Sequence, residues 1–353
     1  MQIKIFKNIF YYMLILFVIY IYFKNAGIIA VYIKDALQLC YNTVIPSLFI
    51  FMVLATFLSG LKCTEFLSLP FIPLFRLLNI KNRKTITYCI LSVLSGFAVG
   101  GFFLDKINRE TNCNKNMLGV LSVIMSNNSP AFVITAVGTC MLGHTASGVM
   151  LYCAILISCF ITAFLFSFIF PYTDNSCGEN DPGCCDFIYA IKTSVISILN
   201  ICGIVVFTYS LCKVILIYTD NTLISVALAA LFEVTAACSM AVNTLGSNLY
   251  ILCAILSFCP LSTIFQLKSA GSNNKISFKI LWLSKLVHIP LSLLILRILI
   301  NLFPQTFAVY ASSDISVNMY WNAPHISAFM LILSMCFIIC FDKKIGVFTI
   351  LRK

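Results

Sequence analysis

Charge is scarce in this sequence. Only 10% of its 353 residues are Asp, Glu, Lys or Arg, while 61% are hydrophobic. So few charges cannot cover the surface of a soluble domain, and no stretch is polar enough to form a separate one. Acid is scarcer than base: 12 Asp and Glu stand against 23 Lys and Arg, for a net charge of +11. There are three histidines, widely scattered. No Ser/His/Asp grouping, P-loop or paired metal motif is legible, so neither an enzyme nor a metal centre is expected. Cysteine is abundant, at 17, but disulfide or metal spacing is absent. Cys140, Cys153, Cys159, Cys253, Cys336 and Cys340 lie inside apolar runs, where a thiol behaves as a small hydrophobe. Cys177, Cys184 and Cys185 share a polar loop without a C-x-x-C pair or a nearby histidine.

What is present is a succession of apolar runs whose basic residues sit mostly at their ends. That placement points to membrane topology and anionic lipid headgroups as the partners of the positive charge, and away from nucleic acid. The expected fold class is an all-α polytopic membrane protein. It would have about eight transmembrane helices, at roughly 20 residues each, and two re-entrant hairpins in two inverted repeats. The first span, 9–23, follows Lys4 and Lys7 as a signal peptide would. No small-x-small cleavage site follows, so it is expected to remain. Residues 27–42 read as an interfacial helix and 43–61 as a span; 187–199 and 200–218 repeat that pairing. The last span is 325–341, before a basic tail. The chain divides into an N-terminal segment (1–42), a first repeat (43–171), a polar loop (172–186), a second repeat (187–267) and C-terminal helices with the basic tail (268–353).

Two interruptions recur in the same order in both repeats. An apolar segment broken near its centre, 85–104 at Gly96, Gly100 and Gly101, is followed by the run 117–142, which contains Ser126-Asn127-Asn128-Ser129-Pro130. In the second half, 222–242 contains Glu233, and 248–267 contains Pro260 followed by Ser262. Matched interruptions in two halves are the sequence signature of a transporter's central site. If both interrupted segments re-enter, the basic stretches 62–84, 105–115 and 268–285 and both termini fall on the cytoplasmic side, and only the acidic loop 172–186 disagrees. If both cross, that loop moves outside, but so does basic 105–115. Misplaced Lys and Arg weigh more than misplaced acids, which favours re-entry.

The polar residues in these interruptions are the candidate site. Asn127, Asn128 and Ser129 offer donors and acceptors to a polar solute; helix–helix hydrogen bonding is their structural alternative. Ser262 and Gln266 offer the same from the second half. Pro130 and Pro260 break the helix ladder. Gly96, Gly100 and Gly101 permit a tight tip with exposed N–H groups, which favour anions. Glu233 is costly in an apolar segment unless paired or solvated. It serves either as a protonatable coupling group, a cation ligand or solute contact, or as a structural hydrogen bond. No cofactor is expected; a coupling proton or sodium ion is the only ionic partner admitted. Lys285, His288 and Arg297 lie on or near one face of the penultimate helix. Lys285 is expected to snorkel and His288 to pack.

These residues together resemble the YlbJ, or SpoVV, family of sporulation integral membrane proteins. That family belongs to the gate, or nucleoside-recognition, domain group related to concentrative nucleoside transporters. The marks run from about residue 43 to 303: Pro46-Ser47-Leu48-Phe49, the Gly96…Gly100 hairpin, Asn127-Asn128-Ser129-Pro130 with Phe132 and Gly138, Phe232-Glu233-Val234-Thr235, and Leu261-Ser262 with Gln266. Three positions depart from the family pattern: Ala98 replaces a proline, Phe102 a lysine and Ala237 a glycine. The resemblance implies export of dipicolinic acid from a bacterial mother cell across the outer forespore membrane, with Thr235 beside Glu233 in the solute site. The residues alone reach a carrier of a small polar solute. A nucleoside carrier of the same fold and a non-transporting assembly protein of the sporulation membrane are the alternatives.

Overall fold

The computed structural model describes residues 2–111, 113–172, 186–269 and 277–303. The expected last span (325–341), the basic tail, the 304–324 loop and nearly all of the 172–186 loop lie outside the described residues. Every regular element among those described is helical. The helices are α1 (Gln2–Lys24), α2 (Ala26–Leu39), α3 (Ile45–Leu58), α4 (Ile72–Leu77), α5 (Arg83–Ser95), α6 (Phe97–Glu110) and α7 (Lys115–Met125). After them come α8 (Thr145–Ile169), α9 (Phe187–Leu216), α10 (Thr222–Phe232), α11 (Val234–Leu245), α12 (Leu249–Ser257), α13 (Leu261–Ser269) and α14 (Phe278–Leu302). Among the described residues, four stretches are long and apolar enough to cross a membrane: α8, α9, the α12–α13 pair taken together, and α14. A fifth, residues 15–44, qualifies only as a bent pair, turned through 99° at Asn25.

The expected boundary between interfacial helix and span at residue 43 is absent. The backbone stays helical from α2 into α3 through a π turn, Cys40–Val44, in which the Ile45 N–H reaches back to the Cys40 carbonyl. A wider turn just ahead of Pro46 absorbs the donor that proline lacks, so the helix continues instead of breaking. In the second half, α9 likewise runs unbroken for 30 residues through the boundary expected at 199. No glycine-proline or turn sequence occurs there to stop it. The two long helices pack against each other.

The interruptions do break the chain. Gly96 ends α5 and starts α6 with φ +90°, a conformation that favours glycine. Glu233 separates α10 from α11, Ser126–Pro130 separates α7 from a π-helical segment (Ala131–Met141), and Phe258–Pro260 separates α12 from α13. The order long helix, hairpin, broken helix, long helix therefore occurs twice. Each hairpin touches the broken helix of the other half: α6 packs on α13, and α11 on the π-helical segment. The π-helical segment in turn lies close on α8, where a Cβ on Gly138 would fall 2.6 Å from the Gly148 Cα. The main core cluster contains Phe75, Phe103, Leu118, Leu121, Ile124 and Phe166, all fully buried. It surrounds α7.

Candidate functional site

A broken helix in a low-dielectric interior frees carbonyls that must find new donors. At the end of α7 the donors are side chains. Asn127 Nδ2 lies within bonding distance of the Val123 carbonyl (3.2 Å), the Ile124 carbonyl (3.0 Å) and Cys159 Sγ (2.7 Å). Ser92 Oγ donates to the Met125 carbonyl at 3.3 Å. At the end of α12, Asn128 Nδ2 donates to the Leu256 carbonyl at 2.9 Å, a bond that ties the two broken helices together across 128 residues of chain. Ser129 Oγ accepts from the Phe132 N–H at 3.2 Å and so caps the helix that Pro130 begins.

Glu233 does the same work in the second hairpin. Its backbone is extended, and one carboxylate oxygen accepts from the Ala236 N–H at 2.7 Å while the other accepts from Thr235 Oγ1 at 3.2 Å. It thus caps α11 with its own carboxyl group, at the positive end of the helix. The first hairpin has no such cap. Gly96 at the N-terminus of α6 has no side chain to cap it, so the two hairpin tips differ: among the described residues one is capped by a carboxyl group and the other is not.

The tips and breaks meet at one narrow cavity of about 30 Å³. Its polar lining is Asn128, Ser129, Glu233, Thr235 and Gln266, with the Gly96 backbone; Phe97, Ala98, Phe132, Val205 and other apolar side chains close it. The volume suits a water or a small ion, not an organic solute. A second cavity, of about 260 Å³, shares Ala98, Ile201 and Gln266 with the first. It adds Thr193, Ser197 and Asn200 on one face of α9, Phe102 on α6 and Ser269. The two cavities thus lie on either side of Gln266 and Ala98.

Most of the expected site residues converge here, coming from parts of the chain more than a hundred residues apart. The others have different places. Gly100 and Gly101 are buried inside α6. An added Cβ at Gly100 would stand 2.0 Å from the Met125 carbonyl oxygen, so this glycine permits α6 to cross the end of α7. Asn127 sits behind the break, Pro260 precedes α13, and Ser262 is buried without lining the cavity. The oxygens Asn127 Oδ1, Asn128 Oδ1, Ser262 Oγ and Gln266 Oε1 are buried without a hydrogen-bond partner among the described residues. Of these, Asn128 and Gln266 line the cavity. Asn128 is held the right way round by its bond to Leu256, so its free atom is an acceptor. Sequence reasoning missed the apolar lining (Val44, Leu48, Ile201, Val205) and Cys159, because nothing in an apolar run marks which residue faces a cavity. Among the described residues no three His, Cys, Asp or Glu side chains converge as a metal site. No family model, curated protein or solved structure matches the chain.

Proposed function

We propose that this protein is a membrane transporter for a small polar solute, held at the meeting point of the two hairpin tips and the two broken helices. The observation that carries this reading is the convergence of Gly96, Asn128, Ser129, Glu233, Thr235 and Gln266 on one cavity, with buried oxygens of Asn128 and Gln266 left without partners. Buried polar atoms are mostly satisfied in folded proteins, so open acceptors that face a cavity point to something bound there. In this reading the two halves are inverted repeats, both hairpins re-enter, about eight helices span, and both termini are cytoplasmic. The 260 Å³ cavity is then the access route from the cytoplasmic side, and the 30 Å³ cavity is a closed solute site that widens as the hairpins move.

The narrower reading is export of dipicolinic acid across the outer forespore membrane, as the resemblance to the YlbJ family implies. The N-terminus of α6 supports it by offering N–H groups to a carboxylate. Glu233 requires such a dianion to keep its distance from the second tip or to meet a protonated or cation-bound carboxyl. The second reading is a nucleoside carrier. It is favoured by the free acceptors at Asn128 and Gln266 beside Glu233, which suit a solute rich in hydroxyl or amino donors. Uptake into proteoliposomes of purified protein, with labelled dipicolinate and a nucleoside panel, separates the two. Spore dipicolinate in a deletion strain and in Glu233→Gln and Asn128→Ala strains gives the physiological answer. Normal dipicolinate in all three, with no uptake of any solute, would leave the assembly-protein alternative.

A further inference from the structure

Behind the two breaks, α14 buries two basic side chains one turn apart. Lys285 is 2% exposed and His288 is 0% exposed. α14 packs against α7, α8 and α12, and none of these helices, nor α13 or α14 itself, contains an Asp or Glu. The titratable groups nearest the pair are thiols: Cys159 on α8 and Cys259 in the second break lie near Lys285. Cys253 on α12 lies beside Ser257 and Ser292. α7 contributes only Lys115, exposed at its far end. Among the described residues, the helices packed around the pair therefore supply no carboxylate counter-charge.

The imidazole of His288 is held at both nitrogens. Nδ1 lies 3.2 Å from the Ser257 carbonyl oxygen, and Nε2 lies 3.1 Å from the Ile155 carbonyl oxygen. A neutral imidazole has one N–H and one lone pair. It could donate to one carbonyl and would press its lone pair against the other, in a place water does not reach. Two carbonyl acceptors are matched only by an imidazolium, which donates from both nitrogens. Ser257 is the last residue of α12, so its carbonyl is among those that the helix end leaves without an intrahelical partner. The proton on His288 thus lets α14 hold the end of α12 on one side and α8 on the other.

We propose that His288 and Lys285 form a proton-binding site holding one proton between them, with His288 doubly protonated in the arrangement seen here, and that losing this proton releases the α12–α13 break from α14. Two adjacent full charges without a counter-ion would repel strongly, so Lys285 is neutral while His288 carries the proton. When the proton passes from Nδ1 to Lys285, or leaves, the bond to the Ser257 carbonyl is broken, while Nε2–H keeps its bond to the Ile155 carbonyl. The proton site stands on geometry alone. Only its use, coupling proton movement to a change in the solute site, rests on the transporter reading.

The test is nitrogen NMR of full-length protein in lipid, labelled with ¹⁵N histidine, with His288 assigned by comparison with His144→Gln and His325→Gln variants. The expected result at neutral pH is both His288 ring nitrogens in the protonated range, in wild type and in Lys285→Met. A single neutral tautomer in wild type overturns the proposal. Amide hydrogen exchange across residues 258–264 reads the release. The closed break binds the extra proton, so opening is favoured as pH rises. Between the titration of His288 in the open and in the closed arrangement, opening should increase about tenfold per pH unit after correction for intrinsic exchange, and level off above the closed-state titration. A His288→Gln variant, which cannot titrate, should lack that dependence; an equal dependence in both overturns the release. A doubly protonated His288 together with pH-independent uptake would keep the proton site and remove its role in transport.

Discussion

Gly100→Ala tests the arrangement on which the site depends. A Cβ at this position would stand 2.0 Å from the Met125 carbonyl oxygen, 2.7 Å from Ser92 Oγ and 3.0 Å from the Met125 carbonyl carbon. An unstrained carbon–oxygen contact is about 3.3 Å, so α6 must withdraw from the end of α7 by about 1.3 Å. Two of the three clashing atoms are backbone and cannot rotate away. Overpacking of this kind costs ~1–3 kcal/mol, and more where backbone moves. Alanine's better helix propensity returns at most ~1 kcal/mol. We expect a net loss of about 2 kcal/mol or more. Unfolding of the purified protein is readily followed with a thiol-reactive dye, because Cys89, Cys159 and Cys253 are buried and free. The midpoint should fall by roughly 4 °C or more. Gly203→Ala is the matched control. It lies within α9 with nothing inside 4 Å of the added Cβ, and should gain up to ~1 kcal/mol. Adding Ser92→Ala should not rescue Gly100→Ala, since the Met125 carbonyl remains. A Gly100→Ala protein as stable as wild type would refute the crossing of α6 over α7, and with it the placement of the Gly96 tip.

The other predictions concern the polar atoms. Glu233→Gln keeps an oxygen for the Ala236 N–H, so stability should stay within about 1 kcal/mol while transport is lost; Glu233→Ala should lose both, by dye unfolding and vesicle uptake. Asn128→Ala removes the donor to the Leu256 carbonyl and should cost ~1–3 kcal/mol, whereas retention of full stability would mean that the two broken helices are not joined there. Asn221 Oδ1 caps α10 by accepting from the Leu223 and Ile224 N–H groups, at 3.0 and 3.3 Å. Asn221→Ala should cost ~1 kcal/mol without changing solute affinity, because it lies outside the site.

The features legible in sequence were those that break a rule. Glycine at a positive φ, a carboxylate in an apolar run and a proline behind two asparagines each conflict with a continuous membrane helix, and each marks a real interruption at Gly96, Glu233 or Ser126–Pro130. A broken rule misleads where the backbone can absorb it. Nothing in residues 27–58 showed that the chain would stay helical past Pro46, because the π turn that absorbs the proline depends on a backbone adjustment and not on a residue type. Gly96 and Gly100 looked alike in sequence. One forms the tip and the other lets α6 pass close over the Met125 carbonyl, a distinction set by what lies opposite.

The sequence by itself determined the helical class, the fit to a membrane and the positions of the four breaks, because hydropathy, glycine conformation and proline chemistry are local properties. The tertiary structure decided which broken ends face one another. It gave Asn128 to the Leu256 carbonyl and His288 to the Ser257 and Ile155 carbonyls. It left the Asn128 and Gln266 oxygens open to one cavity. A freed carbonyl needs a donor but does not specify it; the donor is whichever side chain the packing of distant helices brings within reach.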